Sequence, residues 1–558
     1  AFTLGAELFD NRHFAISSSE GIAMDPQQRL HLESGYAALH MAGLNKQVLN
    51  GSGTGVALGI YSTEFAQVIE RSPLGGSVYA SANSLSIASG RLSFALGMQG
   101  PCASFDTACS ASLVASHSAV RALQHGECDA HLATGVNLIL AQLPFVWMSI
   151  AGMTSVAGRC HTFDSRADGF ARGEGAGGIV LSQDGESTLR YCGSAVRNDG
   201  RSASLTAPNG QAQQGLYRAA LMEAGMTVDS VAMNEAHGTG TPLGDPIETG
   251  SLAAVMLFPK RSSVVTIGGS KGNVAHGESA AGMTGMFKLA LGLRDHVATA
   301  NAQLRVRNPQ VSNLLHGTPS VLPTQFARLL ADAENGGVSA FGYSGTIAHV
   351  VVRNKMRHSG RAGISSPLVL SRREFSWRDP PNAFVQRRMP SSDGAAIFQS
   401  SSSGFLPLID DHIVQSRLIF PGAGYLEMVR AASTVIAQRG VYFLQPLVIE
   451  SAELLVECTL ADGRFDVRSG VELGAANVSV HCSGALATSE KWQIISHAPV
   501  RGRSCVRSAD ICPFYDGFHA IGLQYGPTYR TLMQAWVGGS DVLARLRERK
   551  THNGTQVH

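Results

Sequence analysis

Short apolar runs bounded by Gly or Asp recur in the first part of the chain, at Gly55–Ile60 and Cys128–Leu140, as in buried strands. Gly173–Leu181, Val264–Gly269 and Val350–Val352 share that character. Between them the apolar spacing becomes helical, over Asp25–Ala42, where Pro26 suits a first turn, and over Ala280–Leu289. Strands alternating with helices predict an α/β architecture. After Val352 the pattern lapses. Arg353–Arg361 is basic and polar and Pro390–Gly404 is rich in Ser, Gly and Ala, which predicts a linker over 353–404. Within it, Arg372–Pro381 carries Phe375 and Trp377, aromatics that a free tether does not need, so this piece is expected to dock on a domain surface. From Phe405 apolar and β-branched residues return, over Tyr442–Val456 and Arg464–Val471, with one amphipathic helix expected over Tyr425–Arg439. The expected division is 1–352, a linker over 353–404, and a second domain over 405–558.

Composition narrows the class. With 44% apolar and 15% charged residues and 62 glycines in 558 residues, the chain reads as a soluble enzyme with large buried sheets and many tight turns. A formal charge of +2 predicts neither a nucleic-acid nor a membrane partner. Nine cysteines without C-x-x-C spacing argue against a disulfide framework and a zinc site, and predict no metal and a reducing compartment. A cytoplasmic location is expected, or an organellar one if a targeting segment has been removed, because the chain opens mid-pattern at Ala1-Phe2-Thr3.

Chemistry concentrates at three positions. Cys109 lies in Ser104-Phe105-Asp106-Thr107-Ala108-Cys109-Ser110-Ala111-Ser112-Leu113, a strand-like approach, a small-residue turn and a helical stretch to about Leu123. That places a thiol at a helix N-terminus, which favours the thiolate and predicts a nucleophile. The alternative is a buried structural cysteine. His237, in Glu235-Ala236-His237-Gly238-Thr239-Gly240-Thr241, and His276, in Lys271-Gly272-Asn273-Val274-Ala275-His276-Gly277-Glu278, each stand where an apolar run gives way to a loop of small residues.

On these residues the chain resembles the ketosynthase domain of modular polyketide synthases, a thiolase-fold condensing enzyme. The match runs through Ala23–Leu30, Gly158–Asp164, Ala167–Gly175, Thr206–Gly210 and Phe341–Thr346, in order, to about Val352. The resemblance implies a five-layered αβαβα fold of two pseudo-repeated halves. It also implies that Cys109 takes an acyl group from an acyl carrier protein and that a malonyl-type extender on a phosphopantetheine arm loses carbon dioxide. His237 and His276 would steady the enolate by N–H donation, worth about 3 kcal/mol per donor. It further implies a buried Lys271–Glu278 ion pair that orients His276, contacts to the pantetheine arm from Thr239 and Thr241, an oxyanion hole made by the Cys109 N–H and a second N–H from the Phe341–Ser344 loop, and substrate contacts from Phe341, Gly342 and Tyr343, the last near the acyl pocket. Ala275 stands where the family has Gly, and Ile347 where it has Asn. No cofactor bound by the chain itself is expected, and dimerisation through the strand next to the nucleophile is.

The second domain resembles polyketide synthase dehydratases, which implies an α+β hot-dog fold. His412 and Pro421 match the family's His-x3-Gly-x4-Pro run, with Ser416 in place of the glycine, and Gly522–Tyr529 matches a second signature. His412 would be the base at the α-carbon. The partner Asp is expected beyond His558, so the chain as it stands is expected not to dehydrate. The gap after the ketosynthase, about fifty residues, is too short for an acyltransferase, which is expected in trans or on a missing segment. Two other readings remain: a non-elongating relative that only binds or passes acyl chains, favoured by Ile347, Ser416 and Ala275, and a thiolase acting on coenzyme A, disfavoured by two histidines where a thiolase has a second cysteine.

Overall fold

The computed structural model describes residues 2–61, 64–70, 83–183, 187, 189–257, 261–330, 333–355, 367–375, 382–389, 395–433, 437–451, 454–470, 478–487, 497–539 and 541–547. The chain divides between residues 377 and 378 into two compact units.

In the first unit, parallel strands Cys102–Phe105, Gly55–Ile60 and Ala130–Asn137 line up in that order, and Gly175–Ser182 closes the sheet antiparallel to the last. A second, six-stranded sheet runs Ser320–Val321, Val265–Gly268, Val231–Glu235, Asn335–Phe341, Thr346–Asn354 and Leu189–Asn198. Each run of apolar residues read from the sequence lies within or overlaps one of these strands. Helices Ala111–Gln124 and Ala281–Asp295 lie between the sheets and touch both. Helix Pro26–Met41 covers the outer face of the first sheet and Gly210–Ala224 that of the second, which completes five layers.

Small residues permit the central layer. A Cβ at Gly59 would lie 2.5 Å from the Ser112 backbone nitrogen, so the strand can approach the helix that follows Cys109 this closely only without a side chain. The two central helices are tied by the Met283 N–H, which donates to Ser112 Oγ at 3.1 Å. Ile347 is fully buried in the core around Phe341 and Val351, so its position is one of packing.

Arg373–Glu374 pairs antiparallel with Leu8–Phe9, the Arg29 guanidinium donates to the Phe375 carbonyl at 2.7 Å, and the Phe375 ring is buried against Phe9. The segment up to Phe375 is therefore docked on the first unit. Trp377 and the rest of that motif lie outside the described residues, as do 356–366 and 390–394 of the expected linker.

The second unit has a six-stranded sheet in the order Arg387–Met389, Ala396–Ser401, Leu455–Ala461, Arg464–Gly470, Ser479–Ala487 and Ala437–Phe443, every neighbouring pair antiparallel. Helix Gly422–Ala432 packs Tyr425, Met428 and Val429 into a core with Phe405, Phe420 and Val456. Two expectations are corrected. The helix ends at Ala432 rather than Arg439, because Ala437–Phe443 is taken into the sheet beside Ser479–Ala487. Sheet strands also begin well before Phe405: Phe384, Val385 and Phe398, within the expected linker, are buried in the same core. Among the described residues no helix is long and apolar enough to cross a membrane.

Candidate active site

Cys109 is delivered by the edge strand Cys102–Phe105 and a tight turn. Asp106 Oδ1 accepts from the Ala108 N–H at 3.1 Å, Ala108 is held at φ +51°, and a 3-10 turn over Ala108–Ser110 leads into the helix that starts at Ala111. The sulfur is buried, with His276 Nε2 at 3.0 Å. Backbone N–H groups of Tyr343 and of Cys109 itself act on it, and both favour the thiolate. Burial outweighs them and, with Glu278 nearby, pushes the Cys109 thiol up to about 12. Burial thus opposes the thiolate expected from the helix end.

His237 follows strand Val231–Glu235, where the buried Glu248 carboxylate accepts from the His237 and Gly238 N–H groups at 2.6 and 2.8 Å. His276 is held by backbone bonds on both sides: its N–H donates to the Ala171 carbonyl and its carbonyl accepts from the Gly173 N–H, each at 2.8 Å. The two rings are perpendicular, 5.6 Å apart.

Backbone amides set the tautomer of each ring. The Phe341 N–H donates to His237 Nδ1 and the Glu278 N–H donates to His276 Nδ1, both at 3.2 Å. A nitrogen that accepts carries no proton, so each neutral ring bears its proton on Nε2. Burial, reinforced by the positive charge of Lys271, holds both imidazoles well below the usual histidine range. The site thus presents two neutral N–H donors rather than imidazolium ions.

The expected Lys271–Glu278 pair does not form. The Glu278 carboxylate pairs with the Arg172 guanidinium, at 2.5 and 3.1 Å, and that guanidinium also reaches Glu64 at 2.6 Å. Lys271 Nζ instead donates to the His237 carbonyl, and the carboxylates acting on it are Glu248 and Glu235. Arg172 stands in the Ala167–Gly175 motif and Glu248 follows the His237 loop, but no spacing rule joins either to its histidine.

The hydroxyls of Thr239 and Thr241 lie 3.3 Å apart in the His237 loop. Phe341 is buried with its ring 5.3 Å from that of His237. A Cβ at Gly342 would collide with the Thr107 carbonyl, which explains the glycine. Tyr343 is half-exposed and shares a side-chain hydrogen bond with Tyr61. Ala275 adopts φ +69°, ψ −178°, a region that only glycine enters without strain.

In the second unit His412 begins strand His412–Val414 and pairs with Tyr525 of the second signature. Its Nδ1–H donates to the Ile419 carbonyl at 2.7 Å, which leaves the Nε2 lone pair free, and Tyr525 and Tyr529 lie against the ring at 5.3 and 5.1 Å. Burial holds His412 below the usual histidine range. Gln415 and Ser416, at φ +49° and +62°, form the two-residue loop to Arg417–Leu418. His412 belongs to the second unit.

Comparison with known proteins agrees with this geometry. Family models for the β-ketoacyl synthase N-terminal and C-terminal domains match residues 1–186 and 190–305. Models for the polyketide synthase dehydratase domain and the polyketide synthase dehydratase N-terminal domain match 383–475 and 496–557. Phenolphthiocerol/phthiocerol polyketide synthase subunits C and B of Mycobacterium tuberculosis are 38% and 40% identical over 379 and 354 residues, 64% and 62% of this chain. The chain spans 17% and 23% of their respective lengths. The ketosynthase from module 6 of the bacillaene synthase of Bacillus subtilis 168 is 35% identical with a TM-score of 0.59, over 63% of this chain and 64% of that one. An oxazolomycin ketosynthase domain of Streptomyces albus JA3453 is 30% identical with a TM-score of 0.61, over 64% and 65%. The two ketosynthase models together take in more than half of the sequence, and the chain belongs to the polyketide synthases, as a thiolase-like ketosynthase followed by a dehydratase region of hot-dog type.

Proposed function

We propose that the first unit elongates a polyketide chain by decarboxylative Claisen condensation, with Cys109 as nucleophile and His237 and His276 as N–H donors. In the first half-reaction Cys109 sulfur bonds to the acyl carbon of a carrier-bound thioester, the pantetheine C–S bond breaks, and the thiol proton ends on the departing pantetheine sulfur. The N–H groups of Cys109 and Tyr343 point to where the oxyanion develops. In the second, a malonyl-type thioester binds with its carbonyl oxygen against the two Nε2–H donors, and the bond from α-carbon to carboxylate breaks to release carbon dioxide. The resulting enolate carbon attacks the acyl-Cys109 carbonyl, the C–S bond to Cys109 breaks, and a β-ketoacyl thioester leaves on the carrier. The Cys109 thiolate then regains a proton from solvent.

The observation that carries this reading is the pinned tautomer of both rings beside one sulfur. Thr239 and Thr241 line the approach for the pantetheine arm, and the phosphopantetheinylated acyl carrier protein is the partner. Strand Cys102–Phe105, at the edge of its sheet, supports association with a second copy. An acyltransferase elsewhere supplies the extender. In the second unit the free Nε2 of His412 supports a role as base on a β-hydroxyacyl thioester.

Incubation with a radiolabelled acyl-carrier thioester is expected to label Cys109, and addition of malonyl carrier to yield a β-ketoacyl product. Labelling retained in Cys109→Ala overturns the mechanism. Labelling of the native protein without a β-keto product makes it a carrier of acyl chains that does not elongate them.

A further inference from the structure

Arg172 lies 104 positions before His276 in sequence yet holds it from two directions. Its backbone forms a parallel bridge with His276, and the flanking residues Ala171 and Gly173 make the two backbone bonds that fix the His276 main chain. Its side chain meets Glu278, the residue whose N–H sets the His276 tautomer. The guanidinium engages both Glu278 oxygens through Nε and Nη2, a fork that a single ammonium cannot reproduce. Nη2 also binds Glu64, whose other oxygen accepts the Leu140 and Ala141 N–H groups at 2.8 and 2.9 Å. These three charged side chains are at most 3% exposed, and the Phe145 ring lies 5.9 Å from the guanidinium carbon.

Glu278 needs such a restraint. It sits at φ +44°, a conformation that a non-glycine residue keeps only when its surroundings enforce it, and the donor to Nδ1 is the amide of that same residue. Turning the peptide at 278 would free Nδ1 to take the proton and aim the Nε2 lone pair, rather than an N–H, into the site. We propose that Arg172 is the positioning residue of His276: through Glu278 it fixes the tautomer and aim of the Nε2–H donor, so its loss impairs decarboxylation while sparing acyl transfer to Cys109. This rests on the condensing function proposed above.

The test uses the full chain and its Arg172→Lys, Arg172→Met and Glu278→Gln variants. Acetyl-pantetheine thioester is followed into Cys109 by mass, and malonyl-pantetheine thioester is followed by carbon dioxide release. Arg172→Lys, where the charge is kept and the fork lost, is expected to acetylate Cys109 within about twofold of the native protein and to decarboxylate about tenfold to a hundredfold more slowly. Glu278→Gln, which keeps the shape and one acceptor, is expected to lose less. Equal falls in both half-reactions, or unchanged decarboxylation in folded Arg172→Lys, overturn the proposal. If Arg172→Met fails to fold, the other two variants decide. Nitrogen-15 shifts of His276 give a readout independent of catalysis: an Nε2–H tautomer in the native protein and a mixture in Arg172→Lys support the positioning role, and one tautomer in both refutes it. A native protein that shows the Nε2–H tautomer but never decarboxylates refutes the condensing function instead.

Discussion

At the scale of single residues, the chemistry of Cys109 is decided by two opposed effects of unequal size. A helix N-terminus stabilises an anion by about 0.3–1 kcal/mol, and up to about 2 kcal/mol in a buried geometry. Burial carries the thiol from its ordinary 9.0 to about 12, a net change of about 4 kcal/mol in the other direction. Only the thiolate alkylates. The rate of Cys109 modification by iodoacetamide, read from its peptide by mass, is therefore expected to climb about tenfold per pH unit from 7 to 10 without levelling; a plateau near pH 7–8 would mean that the helix end prevails. Cys109 and the two histidines, which the fold brings together and to which the proposed chemistry is assigned, could be picked out in the sequence because each sits in a loop of small residues that local pattern exposes. Arg172 could not be paired with Glu278 that way, since the two are 106 residues apart and meet only when both sheets are assembled. The neighbouring Lys271 was the nearer charge in sequence and the wrong partner in space.

Secondary-structure elements were legible where burial is two-sided and continuous. Gly55–Ile60 and Ala130–Asn137 are almost wholly buried, so their apolar runs stand out. In the second unit Ala437–Phe443 is half-exposed with mixed polarity, and its period reads as readily as the end of the preceding helix. Ala396–Ser401 hides Phe398 and Ser400 on alternate positions within a Ser-rich stretch that resembles a tether. Two family departures acquire a physical meaning at this scale. Ser416 takes the second left-handed position of a two-residue hairpin loop, and Ala275 occupies the glycine-only region just before His276. Ser416→Gly is expected to stabilise the second unit by about 1 kcal/mol, and Ala275→Gly the first by about 1–3 kcal/mol, both read as shifts in urea midpoint. A fall in stability for either would show that the side chain makes compensating contacts.

Across the whole molecule, stability in acid depends on buried groups of opposite sign. His31 and His349 are held by burial at about 4 and about 3, and His237 and His276 well below the usual range. Below pH 6.5 the unfolded chain takes up protons that these rings refuse, so their contribution to stability is lost as pH falls. Buried Asp25 and Asp245, held at about 6, and Glu248, at about 7, work the other way, because the folded state binds their protons first and gains stability as pH falls toward the ordinary carboxylate range. The two sets oppose each other, and the loss between pH 7 and 5 is expected to be shallow. Asp25→Asn keeps the helix cap but removes one opposing proton, so urea denaturation of this variant is expected to steepen by about 1 kcal/mol per pH unit near pH 5.5. An unchanged slope would show that Asp25 is ionised in the folded protein.

The helix that starts after Cys109 is wedged between two sheets, with Gly59 pressed against its first turn. Any rotation of that helix would have to displace strands on both sides. Redesign of the site therefore has little freedom around the sulfur and must work farther out, at the half-exposed Tyr343 side chain and its partner Tyr61.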